Sequence, residues 1–425
     1  MLVAAPASGQ GKTTVTAALA RLHARQGRTV RVFKVGPDFL DPTLLAAASG
    51  APVHSIDLWM TGEADARARL AEAAQTADLI LVEGVMGLHD GTPSSADVAR
   101  VFGLPVLTVI DAGAMAQTFG ALAHGLATYG APFHAMHVLA NGVGSPRHAD
   151  MLRASLPPAI HWAGALARDA SAALPERHLG LFSADELPDL TARLDRLADA
   201  LAALPLSHLP ERIAFPETPS PQLPRLLAGK RIAIARDDAF RFIYPANVET
   251  LGALGAHVTW FSPLRDSAIP PCDALWLPGG YPELHAAALA SNVPMCNAIR
   301  AAHAQGLPIL AECGGMMTLF DTLVDKEGQA HRMAGLLPGT VTMQRRLAAI
   351  GHQAVTLPGM PREPIRGHTF HYSTTDSPLE PVVRAESPHH DGMGEAVYQT
   401  GALTASYVHL YFPSNPPAIA ALFGG

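Results

Sequence analysis

Residues 6–14 read Pro-Ala-Ser-Gly-Gln-Gly-Lys-Thr-Thr, directly after an apolar run and directly before the helical stretch VTAALARLHARQ. Holding a phosphate takes several inward-facing backbone N–H groups, glycines that permit the turn, and the positive end of a helix. Gly9 and Gly11 supply the turn. Lys12 would neutralise the β- and γ-phosphates of ATP, and the Thr13 hydroxyl, with Thr14 beside it, would sit on Mg²⁺. The usual loop is G-x-x-x-x-G-K-[ST], and here Pro6 takes the first glycine position.

Acidic residues follow the apolar runs that such a loop needs around it. KVGPDFLDP brings Lys34, Asp38 and Asp41, and LILVEGVMGLHDG brings Glu83 and Asp90. A carboxylate at a strand tip opposite Thr13 is the expected second protein ligand for Mg²⁺, with Asp38 and Glu83 the candidates. Asn141, after a later apolar run, either reads the adenine edge or shapes the Asn-Gly turn.

The second chemical signal is LPILAECGGMMTLF, an apolar run leading into Glu312-Cys313-Gly314-Gly315 and then a helix-like segment. A nucleophile on a strand-to-helix turn needs small neighbours. The helix behind it is expected to make the Cys313 thiol more acidic. Gly279 and Gly280 in LPGGYPE, together with Gly314, are placed to donate backbone N–H groups to an oxyanion or to glutamine. The base is expected later in the chain, and His409 in SYVHLYFPSNP stands in an alternating apolar run. Cys272 and Cys296 have no such turn, and no Cys/His spacing resembles a zinc site.

These sites need elements to carry them. Residues 1–5, 29–35, 79–82, 105–110 and 135–139 read as strands, each followed by Gly, Asp or Asn and a helix-like segment, the pattern of a parallel sheet. Leucines at 187, 190, 194, 197, 201 and 204 predict an amphipathic helix over 185–204. Six prolines within 205–228 then suit an extended linker, after which strand-like runs recur at 231–235, 258–262, 274–277 and 307–311. The expected architecture is α/β throughout: a P-loop domain over 1–204, a Pro-rich linker over 205–228, and a second α/β domain over 229–425.

Composition narrows the classes. The chain has 425 residues, 48% hydrophobic and 16% charged, which describes folded domains and not a disordered chain. A net charge of −7 gives no electrostatic attraction to nucleic acid or an anionic membrane. Three cysteines make no disulfide framework, so a reducing, cytoplasmic setting is expected. The first residues lack the basic and apolar regions of a signal peptide. The uncharged stretch between Asp111 and Arg147 is interrupted by His, Gln, Asn and Pro, so no membrane span is expected.

An ATP site and a cysteine nucleophile in one chain suit glutamine-dependent amidation. The cysteine releases ammonia from glutamine, while ATP activates a carboxylate that ammonia alone would not attack.

The ordered set APASGQGKTT, KVGPDFLDP, EGVMGLHDG, RDDAFRFIYPAN, FSPL, LPGGYPELHAA, AECGGMM and GHTFHYS resembles the cobyrinic acid a,c-diamide synthases, over about residues 2–415. The resemblance implies a dethiobiotin-synthetase-like ATPase domain joined to a class I glutamine amidotransferase domain. It implies amidation of the a- and c-acetates of a corrin, cobyrinic or hydrogenobyrinic acid, with ATP, Mg²⁺ and glutamine. It places Lys12 and Thr13 on the phosphates and metal, Asp38 and Glu83 near the metal, and Asp90 near the reacting carboxylate. Cys313 becomes the glutaminase nucleophile and His409 its base. Substrate contacts are expected from Lys34, Asp41, His368 and His371, the last two in a segment that faces corrin or a domain interface. Thr369 stands where this family usually has Glu. Tyr411 stands where other class I amidotransferases carry the acid of a triad, so a Cys–His dyad is expected. Two alternatives accompany this reading: a synthase for another tetrapyrrole such as nickel sirohydrochlorin, and a P-loop regulatory or partitioning switch with an inert amidotransferase-like domain. The oligomeric state stays open between monomer and homodimer.

Overall fold

The computed structural model describes residues 1–169, 174, 176–177, 180–181, 184–216, 218, 222–389 and 392–424. The chain forms two compact units, Met1–Ser220 and Pro221–Gly425.

In the first unit seven strands form one sheet. They are β1 (Leu2–Ala4), β2 (Val30–Val35), β3 (His54–Ile56), β4 (Leu79–Glu83), β5 (Val106–Asp111), β6 (Met136–Val143) and β7 (His161–Ala167). Their order is β3-β2-β4-β1-β5-β6-β7, and every pairing is parallel. Parallel strands covered on both faces read as continuous apolar runs, because alternate residues enter two different cores. Leu2, Ala4, Val106 and Ile110 enter one core, and Val3, Leu107 and Val109 enter the other. The chain runs from β1 out to β2 and β3, returns to β4 and crosses to β5, so β1 lies between the two halves. The crevice at the carboxyl ends beside such a reversal is where α/β sheets bind ligands.

The predicted helix over 185–204 is shorter in the structure, Leu190–Ala202. Pro188 cannot continue a helix inward, so residues Ala184–Glu186 make a separate 3₁₀ turn. Leu190, Leu194, Ala198 and Leu201 are its buried stripe. The short strands β3 and β7 were not foreseen, since three residues in one case and a glycine-interrupted run in the other give little period-2 signal.

The Pro-rich segment is less free than an extended linker. Leu206, Ile213 and Phe215 pack on the cores of the first unit, and His23 and Arg28 hold the carbonyls of Leu206 and Ser207. Leu223 and Leu227 belong to the core of the second unit. Prolines exclude helix and ladder but leave the apolar side chains between them able to bury. Residues 217 and 219–221 of that expected linker lie outside the described residues.

The second unit repeats the plan with a different edge. Its main sheet starts with four parallel strands, in the order β9 (His257–Phe261), β8 (Arg231–Ala235), β10 (Ala274–Leu277) and β11 (Ile309–Glu312). It continues through Leu403–Ser406, parallel to β11, and ends with two antiparallel strands, Ala396–Thr400 and Val383–Arg384. Beside it lie two small sheets, and one of them joins Ala349–Val355, β12 (Ile365–His371) and β13 (His409–Leu410) in antiparallel register. The strand expected at 307–311 runs instead through Glu312, which points that carboxylate inward. Among the described residues no helix is long and apolar enough to cross a membrane.

Candidate functional site

The phosphate loop leaves β1 and enters helix α1 (Lys12–Arg25). Gly9 and Gly11 have φ of 76° and 96°, the left-handed region that a side chain disfavours. A Cβ on Gly11 would also stand 2.6 Å from Asn141 Nδ2. α1 has no side-chain cap and no acid in its first turn, so its leading N–H groups face an anion site. Lys12 Nζ donates to the carbonyls of Ala7 at 3.2 Å and Met86 at 2.6 Å, folding the lysine across the loop. Burial, and then the Lys34 ammonium, lower its pKa. Thr14 is half-buried in the first turn of α1.

Asn141 lies under this loop. Its Nδ2 donates to the Gln10 carbonyl at 3.0 Å, and its Oδ1 accepts from Gly142 N at 3.0 Å. Gln10, which the sequence reading passed over, ties the loop to β5 by accepting from Asp111 N at 2.9 Å.

Beside Thr13 the acids sort themselves. Thr13 Oγ1 donates to Glu83 Oε1 at 2.6 Å and faces Asp41 Oδ2 at 3.3 Å. Lys34 Nζ donates to Asp41 Oδ2 at 2.6 Å and Glu83 Oε1 at 2.9 Å. Asp38 stands further off, 3.7 Å from Lys34 Nζ, with Oδ1 occupied by the N–H groups of Leu40 and Asp41. The structure thus brings Asp41, expected on the substrate side, to the hydroxyl of Thr13, while one oxygen of Asp38 is taken by the turn before Asp41.

Burial opposes the Lys34 charge, but Glu83, Asp41 and Asp38 together hold its pKa well above the ordinary lysine value. Burial, aided by Asp41, pushes Glu83 up. Burial also opposes the Asp41 charge, but Lys34 holds its pKa down.

A hard divalent cation such as Mg²⁺ takes oxygen ligands. Thr13, Asp41 and Glu83 offer that set, and Glu83 Oε2 is buried without a hydrogen-bond partner among the described residues. Among the same residues no group of three His, Cys, Asp or Glu is gathered tightly enough to hold a metal unaided. Substrate oxygens would complete the shell. Asp90, on the loop after β4, accepts from Gly87 N at 2.8 Å and is exposed.

In the second unit Cys313 closes β11 with φ 44° and ψ −110°, a strained conformation for a non-glycine residue. Its N–H donates to the Ser406 carbonyl at 2.7 Å, which fixes the turn on the neighbouring strand. Close backbone approach dictates the glycines around it. A Cβ on Gly315 would lie 2.0 Å from the Leu277 carbonyl oxygen, one on Gly280 2.0 Å from that of Ala239, and one on Gly314 2.9 Å from Gly280 N. The loop after β10 and the turn at Cys313 are therefore pressed together, with the expected oxyanion donors between them.

The expected gain in thiol acidity is not what this turn produces. Burial, followed by the Glu283 charge, pushes the Cys313 thiol well above its ordinary value. The helix behind it spans only Gly314–Met317, a single turn with little dipole, and desolvation wins. Cys313 rests as a buried neutral thiol.

His409 opens β13 and is held by neighbours that the linear sequence hides. A Cβ on Gly279 would meet its Cε1 at 2.2 Å. On β12, His368 pairs in register with His409, and the two rings stack at 4.9 Å and 19°. Glu312, the residue before Cys313, accepts Leu410 N at 2.9 Å on Oε1 and Trp276 Nε1 at 3.0 Å on Oε2. Burial, and then His371, lower the His409 pKa to about 3, so its imidazole is neutral. Tyr411 is fully buried and supplies no carboxylate at its position.

The two histidines expected at substrate are both buried. His368 contacts His409 and the Tyr244 hydroxyl, while His371 Nε2 lies 2.9 Å from Glu395 Oε1 with its ring stacked on Tyr407 at 3.7 Å. Thr369 donates to the same Glu395 oxygen at 3.0 Å. Glu312, Tyr244 and Glu395 escaped the sequence reading. Only Glu312 left a signal, as a carboxylate inside an otherwise apolar strand.

Comparison with known proteins agrees with this division. Residues 1–181 match the CobQ/CobB/MinD/ParA nucleotide binding domain, and residues 231–417 match the CobB/CobQ-like glutamine amidotransferase domain. The hydrogenobyrinate a,c-diamide synthase of Stutzerimonas stutzeri is 59% identical over 99% of this chain and 97% of its own length. That of Pseudomonas aeruginosa is 59% identical over 99% and 96%. The cobyrinate a,c-diamide synthase of Herminiimonas arsenicoxydans is 49% identical over 100% and 96%. At this identity and coverage the chain belongs to the hydrogenobyrinate and cobyrinate a,c-diamide synthase family, enzymes in which a nucleotide-binding unit and a glutamine amidotransferase unit share one polypeptide.

Proposed function

We propose that this enzyme amidates the a- and c-acetate carboxylates of hydrogenobyrinic or cobyrinic acid, using ATP and ammonia released from glutamine. The observation that carries the reading is the strained Cys313 turn with His409 anchored beside it through Glu312 and Leu410. Together with the phosphate loop around Gly9, Gly11, Lys12 and Thr13, it offers both halves of a glutamine-dependent ligase.

In the glutaminase half, the Cys313 thiol gives its proton to neutral His409 as Sγ bonds to the glutamine amide carbon. The backbone N–H groups at Gly279, Gly280 and Gly314 face the oxygen that gains charge. The C–N bond then breaks, His409 returns the proton to the leaving nitrogen, and ammonia departs. Water, deprotonated by the same imidazole, hydrolyses the thioester to glutamate. A resting neutral thiol and neutral imidazole suit this sequence, since both charges arise only once substrate is attacked.

In the ligase half, a corrin acetate oxygen attacks the γ-phosphorus of ATP and ADP leaves. Ammonia attacks the resulting acyl phosphate, and inorganic phosphate departs as the amide forms. Lys12 and the N-terminus of α1 hold the phosphates. Thr13, Asp41 and Glu83 would hold Mg²⁺, which when bound offsets charge on the phosphate oxygens. Lys34, paired to Asp41 and Glu83, keeps that acidic pair in place. Asp90, exposed on the loop after β4, is the residue assigned to the approaching acetate. The buried positions of His368 and His371 favour a role within the glutaminase unit in place of the corrin contact expected from sequence.

The test is amidation of both corrins by wild type and Cys313→Ala, with glutamine or ammonium as nitrogen donor. The mutant should make diamide from ammonium only. If neither protein makes product from either corrin while ATP is still hydrolysed, the corrin assignment fails.

A further inference from the structure

The structure leaves the proposed base with no carboxylate two residues further on, yet its ring is firmly oriented. A general base whose ring can rotate spends time with neither nitrogen aimed at the nucleophile, and misplacement by about 1 Å costs about 10²-fold in rate. In triads an acid removes that freedom. Here the position is filled by Tyr411, whose ring packs edge-on against Tyr244 at 5.8 Å.

Two neighbours bound the His409 ring. At its Cε1 edge Gly279 leaves room only because it has no Cβ. Against its face the His368 ring lies nearly parallel, 19° between planes and 4.9 Å between centroids. His368 is itself fixed. It pairs in register with His409 on the neighbouring strand, is 4% exposed, and its Nδ1 is 3.1 Å from the hydroxyl of Tyr244, which is 3% exposed. Gly367 permits this closeness, since a Cβ there would stand 2.1 Å from the His409 carbonyl oxygen.

We infer that His368, locked by Tyr244, is the positioning residue of the glutaminase half-reaction: its ring face orients His409 by stacking, in place of the carboxylate of a triad. The inference rests on the reading of His409 as base. Stacking serves the charged state as well as the neutral one, because the face of an aromatic ring tolerates a cation above it. Burial, with His409 and His352 facing it, keeps His368 itself uncharged, so the two rings do not repel when His409 takes the thiol proton.

Two substitutions separate the ring from its hydrogen bond. His368→Phe keeps a stacking face and loses the bond to Tyr244, while His368→Asn keeps a polar group near the Nδ1 position and loses the ring. Glutamine-dependent kcat is expected to fall about 10²-fold in His368→Asn with little change in KM for glutamine. His368→Phe should retain most of the activity, and Tyr244→Phe should lose less than His368→Asn. Ammonium-dependent amidation, which bypasses this unit, should stay at the wild-type level in all three and reports that the protein is folded. Equal glutaminase activity in His368→Asn and wild type, or greater loss in His368→Phe than in His368→Asn, overturns the inference. His409→Ala is run beside them: if it still hydrolyses glutamine, the assignment of the base has failed instead.

Discussion

The carboxylate of Glu312 accepts the backbone N–H of Leu410 at 2.9 Å, so the residue preceding the proposed nucleophile holds the residue following the proposed base. Its second oxygen takes Trp276 Nε1, which leaves both oxygens engaged by groups that only donate. Strand β11 and strand β13 are thereby fixed to each other at the point where Cys313 and His409 must meet.

Glu312→Ala should therefore damage the glutaminase more than the fold. It strands a buried indole N–H and a buried backbone N–H, at about 1–3 kcal/mol each. Glutamine-dependent amidation should fall by about 10²-fold, while ammonium-dependent amidation continues. Paired assays with the two nitrogen donors, alongside a denaturant titration, check both parts. Loss of both activities together at full stability would contradict the clamp.

Gly279→Ala makes a sharper steric test. The added methyl would meet His409 Cε1 at 2.2 Å, a distance no relaxed contact allows, so the ring must move. The expected result is loss of glutamine hydrolysis by about 10²-fold or more with the ammonium reaction intact. Glutamine KM separates this from an effect on binding, since it should change less than kcat.

The phosphate loop was readable from consecutive residues, because strand, glycines, Lys12, Thr13 and helix follow one another in the chain. The parallel sheets were readable for the same reason: strands buried on both faces leave unbroken apolar runs. The division of labour between Asp38 and Asp41 was not readable. The two acids are three residues apart, Asp38 in a turn and Asp41 opening the helix Asp41–Ser49, and what separates them is that the N–H groups of Leu40 and Asp41 occupy one Asp38 oxygen. The stack of His368 on His409 depends on antiparallel pairing of β12 with β13, strands far apart in the chain, which no local pattern announces. The antiparallel strands Leu337–Met343 and Ser373–Asp376 are rich in threonine and half-exposed, and so carry little apolar signal. The strand-to-helix turn marks Cys313 in the sequence, but its acidity is set by burial, a property of the whole packed unit that no local pattern carries.

The acids beside Thr13 predict unequal metal effects. Asp41 reaches the hydroxyl and Asp38 does not, so Asp41→Asn should raise the Mg²⁺ concentration needed for half-maximal ATP-dependent amidation more than Asp38→Asn does. Lys12→Ala should reduce synthesis by about 10²–10³-fold with either nitrogen donor, while the glutaminase remains active. A larger Mg²⁺ requirement in Asp38→Asn than in Asp41→Asn would reverse the assignment of the ligands.

Two buried groups in the amidotransferase unit shape stability against pH in opposite directions. His409 titrates near 3 in the folded protein, against an ordinary value of 6.5, because burial and then His371 disfavour its charge. The unfolded chain therefore binds the extra proton first, and stability is lost as pH falls from 6.5 toward 3. Glu312 is pushed up by burial to about 8, against 4.5, despite the donors at Leu410 and Trp276. Here the folded protein holds the extra proton, so stability is lost as pH rises from 4.5 through 8. The two slopes oppose each other between 4.5 and 6.5; below that window His409 acts, joined by His368, whose pKa burial also lowers, and above it Glu312 acts. Denaturant titrations across this range should show the transition midpoint highest inside the window and falling on both sides. In Glu312→Gln, which cannot ionise, the decline between 6.5 and 8 should flatten even though the variant is less stable overall for lack of a second acceptor oxygen. An unchanged alkaline slope in that variant would assign the decline to other groups.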